Sequence, residues 1–265
     1  MNRFAHRVVL ITGAGRGIGR ATAERLASEG AALAILDRDE TAADQAAADL
    51  RETRANALAL TADITDRPAL EGAIVRALEA FGRIDVLVNN AARALKGNLA
   101  QTTPEDWLSE LDGTLNGAFF ATRQVLPGMV AQGRGAIVNV GSVNGLLALG
   151  NPGYSAAKAG LLNFTKALAT EYGPKGIRAN MVSPGTIRTE SPSWQKRLAR
   201  DPQVFEKLAR WYPVGRVGRP DDIAAAIAFL AADEAGFVNG ANLVVDGGLT
   251  AGIAPMIAEL TLETR

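Results

Sequence analysis

A glycine-rich turn joins an apolar segment to a helical pattern near the start of this chain. Residues 12–19 read TGAGRGIG; they follow the apolar run from Val8 to Ile11 and precede an alanine-rich stretch. Glycines allow a tight turn and a close approach of the backbone to a ligand. The helix that follows offers unpaired N–H groups and the positive end of its dipole to an anion. The turn therefore predicts a phosphate site that suits a dinucleotide pyrophosphate.

An acidic residue at the end of the next apolar segment supports the same interpretation. Asp37 follows the run from Ala32 to Leu36, at the spacing expected for a carboxylate that binds a ribose. A turn that merely packs is the alternative, since 28 of the 265 residues are glycine and chance matches to such a string are expected.

Composition excludes several classes of protein. The chain has 265 residues, 48% of them apolar, which is enough for one α/β domain with a large core. Its formal net charge is zero, so we expect neither a nucleic-acid partner nor a membrane surface. Cysteine is absent and His6 is the single histidine, which argues against thiolate catalysis, a Ser-His-Asp hydrolase and a metal site.

The sequence also gives an expectation about location. The start, MNRFAHR, has no apolar signal-peptide core, and no segment approaches the roughly twenty apolar residues needed to span a bilayer. We expect a soluble, cytoplasmic protein.

Short apolar segments alternate with longer helical patterns along the whole chain. This alternation predicts a single α/β domain with a doubly wound, parallel, seven-stranded sheet and helices on both faces, a Rossmann fold. The expected strands are 7–12, 32–37, 57–62, 84–89, 135–141, 177–183 and 242–246, and the expected helices lie near 17–29, 40–53, 67–81, 104–132, 153–173 and 220–232.

The polar motifs fall where strands end. In parallel sheets of this kind, ligands bind beyond the carboxyl ends of the strands, near the point where the strand order reverses. The glycine-rich turn, Asp37, Asp63, Asn89 and Ser142 each follow a predicted strand, and SPGTIRT at 183–189 follows the sixth. We expect residues 188–219, rich in proline and charge, to form a lid over the site.

With these motifs in this order, the chain resembles the short-chain dehydrogenase/reductase family over nearly its whole length. The motifs are TGAGRGIG, TADIT, NNAA at 89–92, Ser142, YSAAK at 154–158, RANMVSPGTIRT at 178–189 and VDGG at 245–248. The resemblance implies a homotetramer built from the long helices and the final helix-strand unit. It also implies a nicotinamide cofactor, held by Gly13, Arg16, Gly17, Ile18 and Gly19 at the pyrophosphate, Asp63 and Ile64 at the adenine, Asn89 near the adenosine ribose, and Ile187 and Thr189 by the carboxamide and phosphates.

The catalytic chemistry can also be argued from the residues. Tyr154 and Lys158 are four apart on a predicted helix, so they share a face and reach the same ligand. A neighbouring ammonium and an oxidised nicotinamide ring would lower the phenol pKa toward neutrality. Ser142 can hydrogen-bond the substrate oxygen, Tyr154 can exchange the hydroxyl proton, and Lys158 is expected also to hold the nicotinamide ribose.

One position departs from the family pattern. The family usually has an asparagine seven residues after the tryptophan that here is Trp107, but position 114 is threonine. Asn116, two residues later, lies about 200° around a helix and should point elsewhere. The threonine hydroxyl substitutes for the amide, or the proton route is altered, or the enzyme is degraded.

Two questions of function stay open in the sequence. Asp37 favours NAD, whereas Arg16 and Arg38 could pair with a 2′-phosphate and make the chain an NADPH-dependent carbonyl reductase; Thr114 leaves a non-catalytic nucleotide-binding scaffold as a third reading. The substrate is expected to be small. The basic residues of 188–219, together with Arg93 and Lys96, predict an acidic group on it if they face the site. The alternative is a lid whose charges face water.

Overall fold

The apolar segments form one parallel sheet of seven strands, in the order β3-β2-β1-β4-β5-β6-β7. The structure, a computed structural model, describes residues 2–95, 97–253, 256 and 260. The strands are β1 (Val8–Thr12), β2 (Ala32–Asp37), β3 (Ala57–Thr61), β4 (Val86–Asn89), β5 (Gly135–Val140), β6 (Ile177–Pro184) and β7 (Asn242–Val245). The strand order reverses between β1 and β4, so a crevice is expected at the carboxyl ends of these two strands.

Nine α-helices lie within the described residues. They are α1 (Gly17–Ser28), α2 (Glu40–Glu52), α3 (Arg67–Phe81), α4 (Pro104–Leu111), α5 (Gly117–Gln132), α6 (Pro152–Tyr172), α7 (Pro192–Arg200), α8 (Val204–Ala209) and α9 (Pro220–Ala231). Single 3₁₀ turns occupy Leu99–Gln101, Val143–Gly145, Gly173–Lys175 and Asp233–Ala235. Among the described residues, no helix has both the length and the apolar character needed to cross a membrane.

Both faces of the sheet are buried, as a parallel sheet covered by helices requires. Alternate residues of β1 point to opposite sides: Val9 and Ile11 join one apolar cluster, which includes side chains of α1, α2 and α9. Val8 and Leu10 join a second cluster, which includes side chains of α3, α5 and α6. The predicted doubly wound α/β fold with helices on both faces is confirmed.

The structure corrects the predicted elements in two places. The single helix expected over 104–132 is divided into α4 and α5 by one π-helical turn, Asp112–Asn116, which contains the unusual Thr114. Residues 188–219, the expected lid, carry two short helices, α7 and α8, to which the sequence assigned no bounds. The local start signal for α7 is present, since Ser191 caps the backbone N–H of Trp194 and Pro192 occupies the first turn.

A buried polar chain ties the middle of the sheet to helix α6. The amide nitrogen of Asn89 donates to the side chains of Asn139 (2.8 Å) and Thr122 (3.0 Å). The Asn139 amide donates in turn to the Thr165 hydroxyl at 2.8 Å. These hydrogen bonds link β4, β5, α5 and α6 directly beneath the carboxyl-end crevice.

We expect Asn139→Leu to lower the free energy of unfolding by about 1–3 kcal/mol for each polar group it leaves buried without a partner. Chemical denaturation followed by circular dichroism measures the change. Thr170→Ala is the control: its hydroxyl donates to the Lys166 carbonyl oxygen at an exposed position of α6, so its effect should stay within about 0.5 kcal/mol. A leucine variant as stable as the unmodified chain would contradict this account of the polar chain.

Candidate active site

The glycine-rich turn lies at the reversal point of the sheet, between β1 and α1. Gly13 and Gly17 have φ angles of +64° and +59°, in the left-handed region that favours glycine. A Cβ on Gly19 would lie 2.2 Å from the carbonyl oxygen of Gly13 and 2.6 Å from the amide nitrogen of Asn90. Arg16, the residue before α1, provides no side-chain cap, so the first N–H groups of α1 are available to an anion.

The second asparagine of NNAA holds this turn in place. The Asn90 amide nitrogen donates to the carbonyl oxygens of Thr12 (2.9 Å) and Gly13 (2.8 Å). The Thr12 hydroxyl accepts from the backbone N–H groups of Asn90 and Ala91, each at 3.1 Å. The segment after β4 therefore donates four hydrogen bonds to the end of β1 and the turn that follows it.

Asp37 stands beside the turn at the end of β2. Its carboxylate accepts from the backbone N–H groups of Gly15 (2.9 Å) and Asp39 (3.1 Å), and the residue is buried. Arg16 forms an ion pair with Asp39. The negative charge at this corner is therefore fixed close to the glycine-rich turn, and one of the two arginines considered for a 2′-phosphate already has a carboxylate partner.

Asp63 and Ile64 follow β3 on the same edge of the sheet. Burial opposes ionisation of Asp63, but hydrogen bonds from the Thr65 N–H and hydroxyl outweigh it, and the charges of Arg38 and Arg93 add to them, so the pKa of Asp63 is lowered. Ile64 is buried, and a Cβ on Gly117 would lie 2.4 Å from its Cδ1.

The segment after β6 closes the crevice from the other side. The Cγ2 of Thr189 would lie 3.4 Å from a Cβ on Gly17, so this segment reaches the glycine-rich turn. Ile187 is buried and pairs with Gly218 in an isolated parallel bridge. The buried Tyr212 hydroxyl accepts from the N–H of Thr186 at 2.7 Å and holds the segment in this position.

Ser142, Tyr154 and Lys158 come together at the end of β5. Lys158 is buried, and its Nζ donates to the carbonyl oxygen of Val140 at 2.5 Å. The same Nζ lies 5.5 Å from the centroid of the Tyr154 ring. The Ser142 hydroxyl accepts from the backbone N–H of Asn144 at 3.1 Å, which fixes the serine at the start of a 3₁₀ turn.

The pKa values in this trio differ from the simple expectation. Burial raises the pKa of Tyr154; hydrogen bonding to Ser142 lowers it, and the charge of Glu110 raises it further. Burial lowers the pKa of Lys158 to about 7. Burial is thus the largest influence of the protein on the phenol pKa, and it opposes the lowering expected from a neighbouring ammonium and an oxidised nicotinamide ring.

Thr114 lies inside the π turn with its hydroxyl engaged. The hydroxyl donates to the carbonyl oxygen of Arg93 (3.1 Å) and accepts from the Arg93 N–H (3.2 Å). A Cβ on Gly113 would lie 2.6 Å from the Cβ of Arg93, so the glycine leaves room for the segment after β4 to approach the π turn. Asn116 points elsewhere, as expected, and bonds to Asp112. Thr114 thus positions the segment after β4, and its effect on a proton route stays a prediction.

Asn89 lies beneath the crevice rather than at its surface. It is 3% exposed, and its amide nitrogen is committed to the buried polar chain. Its Oδ1 is buried without a hydrogen-bond partner among the described residues. The contact with the adenosine ribose that the resemblance implies stays a prediction for this residue.

Three residues that hold the site were not singled out from the sequence. Asn90 stood inside a motif from which Asn89 alone was assigned. No local signal indicated Tyr212, because its partner, Thr186, comes from a distant part of the chain. The same holds for the buried Glu110, whose partners are Leu95 and Tyr154. Lys96 lies outside the described residues.

The residues present fit a dinucleotide. The turn leaves space that a Cβ on Gly19 would fill, α1 begins without a capping side chain, and the carboxylate of Asp37 stands within hydrogen-bond distance of Gly15. Within the part of the chain that the structure describes, no group of three or more His, Cys, Asp or Glu side chains is arranged to hold a metal ion.

Comparisons with known proteins agree with this geometry. A family model described as enoyl-(acyl carrier protein) reductase matches residues 13–250. An uncharacterized oxidoreductase, C922.06, of Schizosaccharomyces pombe is 45% identical over 260 residues, 98% of this chain and 96% of that protein. Meso-2,3-butanediol dehydrogenase of Serratia marcescens is 39% identical over 250 residues, 94% of this chain and 96% of that protein. The crystal structure of a short-chain dehydrogenase/reductase family oxidoreductase from Burkholderia thailandensis has a TM-score of 0.88 at 45% identity and covers 97% of this chain and 98% of that chain.

The chain therefore belongs to the short-chain dehydrogenase/reductase family. It is an oxidoreductase of a family that uses nicotinamide cofactors.

We expect Gly19→Ala to abolish tight NADH binding, because the new methyl group would displace the Gly13 carbonyl or the Asn90 amide that shapes the turn. Fluorescence titration with NADH measures the dissociation constant. Gly72→Ala is the control: it lies in α3 with nothing within 4 Å of the added Cβ, and its affinity should not change. Equal NADH affinity in both variants would contradict the assignment of the turn.

Proposed function

We propose that this chain transfers a hydride between NAD and a secondary alcohol or its carbonyl on a small substrate, with Tyr154 as general acid/base. The observation that carries the proposal is the convergence of Ser142, Tyr154 and Lys158 at the carboxyl end of β5, the same edge of the sheet as the glycine-rich turn. The name of the Serratia relative, a dehydrogenase of a secondary diol, supports the substrate class.

Each of the three residues has a distinct role in the proposed mechanism. Tyr154 removes the proton from the substrate hydroxyl in oxidation and returns it in reduction. Ser142 hydrogen-bonds the same oxygen and stabilises the charge that develops on it. Lys158, anchored by the Val140 carbonyl, would hold the nicotinamide ribose, and burial brings its pKa to about 7. The oxidised nicotinamide ring, when bound, supplies a hydride acceptor and the positive charge that lowers the phenol pKa.

The contacts around Asp37 favour NAD over NADP. A 2′-phosphate would meet this buried carboxylate at close range, and Coulomb repulsion is strong where water is excluded. Arg16 is paired with Asp39, and Arg38 lies 4.0 Å from the carboxylate of Asp63, so each arginine has an acidic neighbour. These pairs weaken the case for an NADPH-dependent carbonyl reductase.

We expect Asp37→Asn to raise kcat/KM for NADP relative to NAD by about tenfold or more, since it removes the charge and keeps an acceptor for the Gly15 N–H. Asp37→Ala should also lose activity with NAD, because the turn loses that acceptor. Steady-state kinetics with both cofactors gives the ratio, and Asp44→Ala, an exposed change on α2, is the control. Equal or better kcat/KM with NADP in the unmodified chain would refute the NAD assignment.

We expect Tyr154→Phe to lower kcat by at least about a hundredfold while NADH binds with unchanged affinity, because the hydroxyl acts in proton transfer. NADH absorbance over a panel of secondary alcohols, diols, polyols and hydroxy acids gives the rate, and fluorescence gives the affinity. Tyr172→Phe, at the far end of α6, is the matched control. A Tyr154→Phe variant that kept more than about a tenth of the unmodified kcat would contradict the proposed mechanism.

Residues 188–219 form the proposed substrate lid, and the partners of its basic side chains bear on whether the substrate carries an acidic group. Five of the eight basic side chains in this stretch already have partners. Arg188, Arg197 and Arg210 lie over aromatic rings, Lys207 pairs with Asp201, and Arg216 pairs with Asp222. Arg93 lies close enough to Asp63 to lower the pKa of that carboxyl. The positive charge of Arg93 therefore acts on the side of the site proposed for the cofactor.

We further propose that the chain assembles as a homotetramer through α5, α6, α9 and β7. The support is a set of exposed apolar side chains on three of these elements: Phe119 and Val130 on α5, Phe229 on α9 and Leu243 on β7. Sedimentation equilibrium measures the mass, and a monomer at micromolar concentration would contradict the assembly. The cytoplasmic location stays a prediction.

A further inference from the structure

A buried carboxylate that the proposed mechanism does not use lies at the end of α4. Glu110 is 2% exposed, and a buried carboxylate is costly unless hydrogen bonds compensate it. Its Oε1 accepts from the backbone N–H of Leu95 at 2.6 Å, and its Oε2 accepts from the backbone N–H of Tyr154 at 3.0 Å. Both carboxylate oxygens therefore accept hydrogen bonds from backbone groups of the candidate site.

The contact with Tyr154 completes the start of helix α6. Asn151, the residue before the helix, makes no side-chain cap, and its carbonyl oxygen accepts from Ser155. Tyr154 lies in the first turn, where N–H groups have no acceptor within the helix. Glu110 supplies that acceptor from another helix, and its negative charge is favourable at the positive end of the α6 dipole.

The fit between the two helices depends on a glycine. A Cβ on Gly153 would lie 2.5 Å from Oε2 of Glu110 and 3.4 Å from the ring of Trp107. Any larger residue at position 153 would push the carboxylate away from the Tyr154 N–H. Gly153 thus provides the space, Glu110 the acceptor and the Tyr154 N–H the donor of this contact.

The contact with Leu95 joins the same carboxylate to the segment after β4. This segment is also held by Thr114 at Arg93 and by Thr12 at Asn90. Glu110 therefore connects the backbone of the general acid/base to the backbone that borders the cofactor turn. A change at Glu110 would shift these two walls of the crevice relative to each other.

We propose that Glu110 is a positioning residue that fixes Tyr154 and the segment after β4 relative to each other. The inference rests on the proposed role of Tyr154 as general acid/base. Glu110 touches backbone, so it acts through Tyr154 and not on the substrate.

The charge of Glu110 gives the proposal a measurable signature. The groups facing Tyr154 among the described residues are Ser142 from the segment after β5, Lys158 from α6 itself and Glu110 from α4. Burial raises the phenol pKa most, hydrogen bonding to Ser142 lowers it, and the charge of Glu110 raises it. Removing the charge should therefore lower the pKa of Tyr154, and a role confined to packing would leave it unchanged.

The test compares Glu110→Gln with Glu105→Gln, an exposed change in the first turn of the same helix. The phenol of Tyr154 is titrated by ultraviolet difference spectroscopy against the same variant carrying Tyr154→Phe, which subtracts the other two tyrosines. We expect Glu110→Gln to lower the phenol pKa, to lower kcat by about tenfold or more and to change the NADH dissociation constant less than about twofold. Glu105→Gln should change none of the three.

A second variant tests the geometry with the charge retained. Gly153→Ala should lower kcat to a similar extent, because the methyl group displaces the carboxylate. An unchanged phenol titration in Glu110→Gln, or full kcat in both variants, would overturn the proposal. If the unmodified chain has no dehydrogenase activity, the proposed function fails; the titration then still decides whether Glu110 sets the environment of Tyr154. If Glu110→Gln does not fold, Gly153→Ala decides.

Discussion

The candidate site depends on the hydrogen bonds that hold residues 90–95, the segment after β4. Thr12 and Asn90 bond this segment to the glycine-rich turn, Thr114 bonds its middle, and Glu110 bonds its end to the start of α6. The phosphate cradle and the general acid/base are thereby attached to a single stretch of backbone. Apart from the Asn90 amide, which donates through its side chain, these bonds are made with backbone groups of the segment, so the other side chains of 90–95 can face the crevice.

Much of this arrangement could be predicted from local signals. The alternation of apolar strands with helices determines a doubly wound parallel sheet, and such sheets place their ligands where the strand order reverses. TGAGRGIG and Asp37 indicate the dinucleotide site by their position at strand ends. Tyr154 and Lys158 share a helix face by their spacing alone, and the resemblance to a known family supplied Ser142.

The remainder could not be predicted, because it depends on contacts between distant segments. Nothing in the residues around Glu110 shows that its carboxylate would be buried against Leu95 and Tyr154. The π turn depends on the close approach of Gly113 to Arg93, which a helical periodicity does not reveal. Burial in the folded chain lowers the pKa of Lys158 to about 7 and raises the pKa of Tyr154, and the spacing of the two residues on a helix does not reveal that burial.

The central claim is that this site moves a hydride from the carbon of a secondary alcohol to the cofactor. The most direct measurement incubates the purified chain with NAD and secondary alcohols deuterated at the carbinol carbon, and then determines the deuterium in the NADH formed by mass spectrometry. The account predicts one deuterium in each NADH, with one ketone produced for each. NADH without deuterium would contradict the account, as would tight NADH binding without turnover of any alcohol, the behaviour of a nucleotide-binding scaffold.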